Sequence, residues 1–182
     1  DNSLRFDSGS PDSLTRTFTS GNQKTWTFST WFKRSGTSAI QKLLATCGTN
    51  SDATTLEIIF VYGLLRVGRY YSTNLETTQE FRDYSAWYHI VVSVDTTQGT
   101  ASDRMKIFIN GNQVTAFNTA SYPVLNEDTP INLSGQICNI GRQYYPHVTY
   151  ADGWWEGYMA ETYLIDGQAL TPTDFGEFDA DS

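Results

Sequence analysis

Hydrophobic and polar residues alternate along most of this chain, and this two-residue period is the feature that most constrains the fold. Thr25–Lys33 is the clearest case, because Trp26, Phe28 and Phe32 fall on one side of an extended segment. Successive side chains of a β-strand point to opposite faces, so the pattern predicts half-buried strands. No stretch keeps a 3.6-residue period, which argues against a helical protein.

The alternating segments predict about a dozen strands. They are Leu4–Phe6, Leu14–Phe18, Thr25–Lys33, Lys42–Cys47, Thr55–Tyr62, Leu64–Tyr71, Trp87–Asp95, Arg104–Ile109, Gln113–Phe117, Ile137–Ile140 and Trp154–Ile165. Asn110-Gly111 predicts a tight hairpin turn, because both residues tolerate a positive φ. The longer loops are predicted at Thr96–Asp103, Asn118–Gly135 and Arg142–Gly153, and Thr171-Pro172 predicts a short helical turn. Without repeats or linkers, these strands predict one all-β domain of two packed antiparallel sheets over 1–178, with 179–182 as an acidic, frayed tail.

Composition narrows the classes of partner. The chain of 182 residues carries a formal net charge of -8 and has a pI of about 4.6, which disfavours nucleic acid and acidic membrane surfaces as partners. No apolar run approaches the roughly 20 residues of a membrane span, so no membrane insertion is expected. The chain does not begin with Met, which favours a domain from a longer or processed protein. Cys47 and Cys138 are expected to be separate, reduced thiols, with a disulfide between them as the alternative.

Three sequence motifs resemble laminin G-like and pentraxin-like domains. They are Trp26–Arg34, the pair Trp87–Val92 and Lys106–Gly111, and the closing segment Trp155–Glu161. The resemblance covers nearly the whole chain and implies a concanavalin A-like jelly-roll sandwich. That fold hosts lectins, hydrolases and adhesion modules, so it does not fix the ligand.

A second set of segments resembles one branch of this family. Phe81–His89, Val94–Gln98 and Ile165–Glu177 are similar to domains in tail-fibre-like and other virion proteins of aquatic bacteriophages. The resemblance implies a virion or extracellular location. The implied partners are cell-surface glycans or other virion proteins, and a homo-oligomer such as a trimer is expected.

The arrangement of carboxylates argues against an enzyme. Hydrolases of this fold place two or three carboxylates along one strand at two-residue spacing, which brings them to the same side. Glu57 has no such partner, and Glu156 and Glu161 are five residues apart, on opposite sides of a regular strand. Glu76 and Glu80 have workable spacing but fall in a predicted loop. We therefore expect no catalytic activity.

Metal and nucleophile motifs are weak. The sequence contains no nucleophile elbow and no phosphate-binding glycine loop, and the motif around His89 implies a structural histidine. Asp7 and Asp12 flank a turn that could supply oxygens to a structural calcium ion, or they could cap their own turn. Ala160 stands where many laminin G-like relatives have Asp, which weakens the calcium alternative. No cofactor is expected.

Polar and aromatic residues concentrate in the predicted loop at 142–154, which suggests a glycan-binding surface. Flat rings can stack on sugars, and planar polar groups can bind sugar hydroxyls. The candidate ligand-binding residues are Arg142, Gln143, Tyr144, Tyr145, His147, Tyr150, Asp152 and Trp154, with Tyr70 and Tyr71 as a second cluster. Two hypotheses stay open: a lectin-like recognition module, or a structural virion module without sugar specificity.

Overall fold

The computed structural model describes residues 3–7, 9, 12–47, 54–69, 73–145 and 150–176. These residues form β-strands and two short 3-10 helices, at Ala101–Asp103 and Pro172–Asp174. The strands are β1 (Ser3–Phe6), β2 (Leu14–Thr17), β3 (Thr25–Arg34), β4 (Ile40–Cys47), β5 (Leu56–Val61), β6 (Leu64–Arg69), β7 (Thr73–Glu80), β8 (Tyr88–Asp95), β9 (Met105–Ile109), β10 (Asn112–Gln113), β11 (Phe117–Ala120), β12 (Ile137–Ile140), β13 (Gln143–Tyr145), β14 (Tyr150–Asp152) and β15 (Gly157–Asp166).

Thirteen of these strands form two antiparallel sheets, as the sequence predicts. The six-stranded sheet has the order β1-β15-β3-β8-β9-β10, and the seven-stranded sheet has the order β11-β7-β6-β5-β4-β12-β2. Strands β13 and β14 pair with each other as a separate two-stranded ribbon. The all-β jelly-roll sandwich is confirmed.

Side chains that alternate along the central strands fill the space between the sheets. Trp26, Phe28 and Phe32 of β3 are fully buried, which confirms the predicted inward row. Phe32 meets Phe60 from the opposite sheet, with ring centres 5.2 Å apart, and Trp155 closes the core with its ring 5.8 Å from that of Phe32. Burial of such aromatic side chains contributes roughly 1.5–3 kcal/mol each to folding. This shared core fixes the positions of the loops at the ends of the sandwich.

Two hairpins have turns of only two residues. Asn110 and Gly111 have φ values of 47° and 81°, which confirms the predicted turn between β9 and β10. Tyr62 and Gly63 have φ values of 50° and 88° and connect β5 to β6 in the same way. Positive φ at both positions matches the right-handed twist of the flanking strands.

The structure corrects the prediction of loops in two polar stretches. Glu76 and Glu80 belong to strand β7 rather than to a loop, because Leu75 and Thr77 are buried while Glu76 pairs with Arg66 on the neighbouring strand. The predicted loop 118–135 begins inside β11, which pairs with β7. Both strands are stabilised by cross-strand polar pairs, which hydrophobic alternation does not detect.

Two further connections differ from the prediction. The strand expected at Gln113–Phe117 pairs with β9 only over Asn112–Gln113, after which the chain crosses to the seven-stranded sheet as β11. The predicted loop 142–153 contains the β13–β14 ribbon. The last strand begins at Gly157 rather than Trp154, because Gly157 has a φ of 141° and its Cα lies against the backbone of β3.

The predictions for the cysteines, the C-terminal tail and membrane insertion can be compared with the structure only in part. Cys138 is a buried free thiol, and burial raises its pKa to about 12, whereas the side chain of Cys47 lies outside the described residues. The predicted tail at 179–182 also lies outside them. In the described part of the chain, no helix is long and apolar enough to cross a membrane.

Candidate functional site

The outer face of the seven-stranded sheet, which points away from the six-stranded sheet, carries a cross-strand row of three charged residues and one isoleucine. Lys42 lies opposite Ile59, which lies opposite Arg66, which in turn lies opposite Glu76. Arg66 forms an ion pair with Glu76, whose other oxygen accepts a 3.1 Å hydrogen bond from the amide of Asn118. The one acid of this row, Glu76, therefore already has two partners.

A buried ionic cluster fastens the β13–β14 ribbon to this face. The Nζ atom of Lys42, which is only 3% exposed, lies 2.9 Å from Oε1 of Glu57 and donates a hydrogen bond to Oε1 of Gln143. The backbone N–H of Lys42 donates to the carbonyl of Gly153 at 2.8 Å. Lys42 thus contacts both ends of the segment that contains the ribbon, which holds that segment in a fixed position.

The predicted ligand-binding residues are distributed over this ribbon and its ends. Within the ribbon, Tyr145 pairs with Tyr150, and Gln143 pairs with Asp152. Tyr144 lies between Gln143 and Tyr145 in β13. The side chains of these tyrosines and of Asp152 lie outside the described residues, as do His147, Tyr70 and Tyr71 entirely.

Arg142 and Trp154 meet at the base of the ribbon. Both side chains are half-buried, and the guanidinium carbon of Arg142 lies 5.1 Å from the centre of the Trp154 ring. A cation over an indole face is an attractive arrangement. One face of this ring is therefore covered by Arg142.

Gln143 has a different position from the one expected of a surface contact. Its side chain is fully buried and accepts the hydrogen bond from Lys42. We therefore expect Gln143 to support the ribbon from below instead of contacting a sugar. Trp155, the next residue after Trp154, is 1% exposed and packs in the core.

The carboxylates do not form a catalytic pair on the described residues. Glu57 is paired with Lys42 and Glu76 with Arg66. Glu161 has a φ of 50° in a bulge of β15, so the regular strand assumed in the sequence argument is interrupted there. Glu156 precedes that strand and accepts a hydrogen bond from the hydroxyl of Ser38 at 3.2 Å.

Neither metal nor histidine chemistry stands out in the described part of the chain. There, no group of three or more His, Cys, Asp or Glu side chains converges as a metal site, and Asp7 accepts a 2.9 Å hydrogen bond from the Gly9 backbone in its own turn. The calcium alternative stays a prediction. His89 is buried, bonds Ser29 at 2.9 Å and stacks on Trp31. Burial lowers its pKa, which fits a structural histidine.

A cleft of about 450 Å³ opens at one end of the sandwich, and none of the ligand-binding residues predicted from the sequence lines it. Arg34 forms its base. This residue is the last of the inward row of β3 and is only 3% exposed, and its guanidinium lies 5.0 Å from the ring of Phe60 and 5.4 Å from that of Tyr84. Its Nε donates to Gln41 and its Nη1 to the carbonyl of Phe81, both at 2.8 Å. Burial lowers the pKa of this guanidinium.

Three chain segments form the walls of this cleft. The turn residue Tyr62 donates its backbone N–H to the carbonyl of Ala39, and Phe81 donates to the carbonyl of Gly63. The wall residues that face the opening are Thr37, Ser38, Tyr62, Arg82 and Tyr84. A charged residue at the end of the inward row of β3 was the one sequence feature that could have indicated this site.

Comparison with known proteins supports the fold. A family model described as the concanavalin A-like lectin/glucanases superfamily matches residues 7–174. The heptameric SAP-like pentraxin of Limulus polyphemus aligns with a TM-score of 0.64 and 14% identity, covering 95% of this chain and 79% of the pentraxin. No curated protein matches.

Two carbohydrate-binding domains align over similar lengths. The CBM40 domain of the Ruminococcus gnavus IT-sialidase, bound to α2,3-sialyllactose, has a TM-score of 0.57 and 14% identity, covering 89% of this chain and 96% of that domain. Domain 4 of the Geobacillus stearothermophilus arabinanase AbnA, in complex with arabinotriose, has a TM-score of 0.60 and 14% identity, covering 91% of this chain and 72% of that domain. At such identities these likenesses show the fold. With the family match over nearly its whole length, this chain belongs to the concanavalin A-like lectin/glucanase superfamily.

Proposed function

We propose that this protein is a non-catalytic, lectin-like module that binds glycans at the β13–β14 ribbon. The observation that carries the proposal is the Arg142–Trp154 pair at the base of a ribbon whose position is fixed by the buried Lys42 cluster. An aromatic ring beside a planar cation offers both an apolar surface and hydrogen-bond donors to a sugar. A rigid scaffold reduces the entropy lost on binding.

The proposed contact residues are those of the sequence analysis, without the buried Gln143. They are Arg142, Tyr144, Tyr145, His147, Tyr150, Asp152 and Trp154, with Tyr70 and Tyr71 as a second cluster. Support for a sugar as the ligand comes from the similar folds of the sialyllactose-bound and arabinotriose-bound domains.

The absence of catalysis is part of the proposal. A glycosidase needs one carboxyl group that can donate a proton and a second that can act as a nucleophile or a base. Glu57 and Glu76 are instead each held by a cation. We expect no release of reducing ends from β-glucans, agars, carrageenans or bacterial exopolysaccharides. Turnover that disappears in Glu57→Gln would contradict this expectation.

A glycan array with ribbon variants tests the binding function. Tyr145→Ala and Trp154→Ala should each weaken binding by about 1–3 kcal/mol, since aromatic anchors dominate such sites. Trp87→Ala is the control, because Trp87 is an accessible indole, 38% exposed, that lies outside the ribbon, directly before β8. An array without hits, or binding that survives Tyr144→Ala/Tyr145→Ala, would contradict the proposed site.

A structural role in an assembly is the second candidate, and one observation favours it. Strand β2 is an exposed edge of the seven-stranded sheet, and Leu14 on it is 49% exposed beside a shallow cleft that reaches Phe28 and Cys138. Open edges with apolar residues can pair with another copy. Light scattering should then give the mass of an oligomer such as a trimer, and Leu14→Asp should reduce it to the monomer mass.

A phage virion is the proposed biological setting. This proposal rests on the sequence resemblance of Phe81–His89, Val94–Gln98 and Ile165–Glu177 to virion proteins. Mass spectrometry of purified virions that carry the gene should detect peptides of this chain. Their absence from virions, together with their presence in uninfected host cells, would contradict the assignment.

A further inference from the structure

Arg34 has hydrogen-bonding capacity that the protein itself does not use. Its Nε and Nη1 atoms donate to Gln41 and Phe81, while Nη2 makes no hydrogen bond to the described residues. Arg104 provides the comparison, because its Nε, Nη1 and Nη2 donate to three backbone carbonyls at 2.8–3.0 Å. Nη2 is not one of the enclosed polar atoms that lack a partner, so it is accessible from the cleft, where an acceptor would gain a charge-assisted hydrogen bond.

The charge of Arg34 is also not neutralised within the described part of the chain. There, no carboxylate lies within 4.0 Å of its guanidinium. Glu80, which lines the cleft, is paired with Arg82, and Glu156 accepts a hydrogen bond from Ser38. Buried charges in proteins are normally paired, and a planar guanidinium matches a carboxylate with two parallel hydrogen bonds. The missing partner is therefore an anion, and a carboxylate fits best.

The turn beside Arg34 carries an aromatic ring where such a turn normally carries Asn or Gly. Tyr62 and Asn110 occupy equivalent first positions of two-residue turns, with φ values of 50° and 47°. Asn110 suits this position and its side chain accepts a hydrogen bond from the backbone of His89 at 2.8 Å. Tyr62 is strained there and leaves its side chain 79% exposed. An exposed ring in a disfavoured backbone conformation points to a role in binding.

From these observations we infer that the cleft above Arg34 binds the carboxylate of an acidic sugar, such as a uronic acid, whose ring packs against Tyr62. Arg34 supplies the charge and the Nη2 donor, Tyr62 supplies the apolar platform, and the hydroxyls of Thr37 and Ser38 line the opening. Recognition of a carboxylate rests on Arg34 itself. That a sugar carries this carboxylate rests on the proposed glycan-binding function.

The test uses sugars that differ only at the carboxylate. Methyl glucuronoside and methyl glucoside, and the corresponding galacturonoside and galactoside, are titrated into the intact chain while NMR resonances of Tyr62, Gly63 and Phe81 are followed. We expect the acidic member of at least one pair to bind on the order of tenfold or more tightly, because a charge-assisted hydrogen bond is strong. Acetate, titrated separately, measures what a carboxylate alone contributes.

Variants assign the effect to the cleft. Arg34→Gln should abolish the preference for the acid, whereas Arg104→Gln, which removes an arginine bound to carbonyls elsewhere, should leave it intact. Tyr62→Ala should weaken binding of the acidic sugar about five- to a hundredfold. Because Tyr62 is exposed, this variant tests the site even where Arg34→Gln fails to fold. Tyr163→Ala is its control, since Tyr163 is an exposed tyrosine on the other sheet.

The outcomes separate this inference from the proposed function. Equal binding of acidic and neutral sugars, or an acid preference that survives Arg34→Gln and Tyr62→Ala, would overturn the carboxylate site while glycan binding stands. Acetate that binds as tightly as the glucuronoside would overturn the sugar part. A positive glycan array, with no sugar acid shifting the cleft resonances, would overturn this inference alone.

Discussion

The two buried cations Lys42 and Arg34 differ in whether an acidic side chain lies beside them. Lys42 and Arg34 are each 3% exposed, and both connect a strand to the loops that cover it. Lys42 has Glu57 at 2.9 Å and Gln143 as a second acceptor. Arg34 has only the neutral acceptors Gln41 and Phe81.

The difference between these sites separates a structural role from a binding role. The charge of Lys42 is neutralised inside the protein, so this residue can hold the ribbon in place without any ligand. The charge of Arg34 lacks an acid among the described residues and lies at the base of an open cleft. Burial of a charged side chain therefore does not by itself indicate function. A buried charge that has no counter-charge and lies at the base of an opening does indicate it.

The largest effect in this comparison is expected from Lys42→Met. The substitution leaves Glu57 largely buried without its cation, which should lower the free energy of unfolding by about 3–5 kcal/mol. Urea denaturation of the variant measures this loss. Lys42→Met/Glu57→Met should recover most of it, because apolar residues can replace a buried pair. A double variant as unstable as the single one would show that the ion pair itself is not the source.

Arg34→Gln should have a smaller effect on stability, of about 1–2 kcal/mol. The variant loses hydrogen bonds from a charged group to Gln41 and Phe81, but it also removes a buried charge that has no acid partner. The same denaturation experiment compares the two sites directly. A loss as large as that of Lys42→Met would mean that Arg34 has an internal counter-charge, which would weaken the proposed carboxylate site.

Arg66→Met tests an ion pair that is more exposed and should cost about 1 kcal/mol or less. The side chain of Arg66 is about one-third exposed, and Glu76 keeps the hydrogen bond from Asn118 when Arg66 is removed. Thermal unfolding of the variant should show only a small decrease in Tm. A decrease comparable to that of Lys42→Met would contradict the ranking of these pairs by burial.

The smallest effect is expected from pH, through the buried group His89. Burial lowers its pKa in the folded state below that of the unfolded chain, with a lesser opposing effect of Glu161. The unfolded state then binds more protons than the folded state. The contribution of neutral His89 to stability is therefore present above about pH 6.5 and is lost as the pH falls through the folded pKa. Denaturation of wild type and His89→Gln between pH 7.5 and 5 measures this, and parallel curves would contradict it.

Strands with strong alternation could be predicted from the sequence, because burial on one face leaves a direct pattern. The inward positions of Trp26, Phe28 and Phe32 and the turn at Asn110-Gly111 follow from local rules alone. Strand β7 could not be predicted in this way, since Glu76 is stabilised by Arg66, a partner on another strand.

The candidate sites depend even more on long-range contacts. The ribbon at 142–154 was predicted as a polar-aromatic surface, but the burial of Gln143 follows from Lys42, far away in sequence. The Arg34 cleft needs three segments, around Ala39, Tyr62 and Phe81, which backbone hydrogen bonds bring together. No local sequence pattern predicts that these three segments meet. The charged residue Arg34 at an inward position of β3 was the one indication of a site there.

The turn at Tyr62-Gly63 has a consequence for evolution within the family. Selection for stability alone would favour Asn or Gly at position 62, because tyrosine is strained at a φ of 50°. Retaining tyrosine there sacrifices stability for an exposed ring, the trade-off expected of a functional position. Among relatives, an Asn-Gly or Gly-Gly turn should therefore accompany loss of the buried arginine, and the two positions should change together.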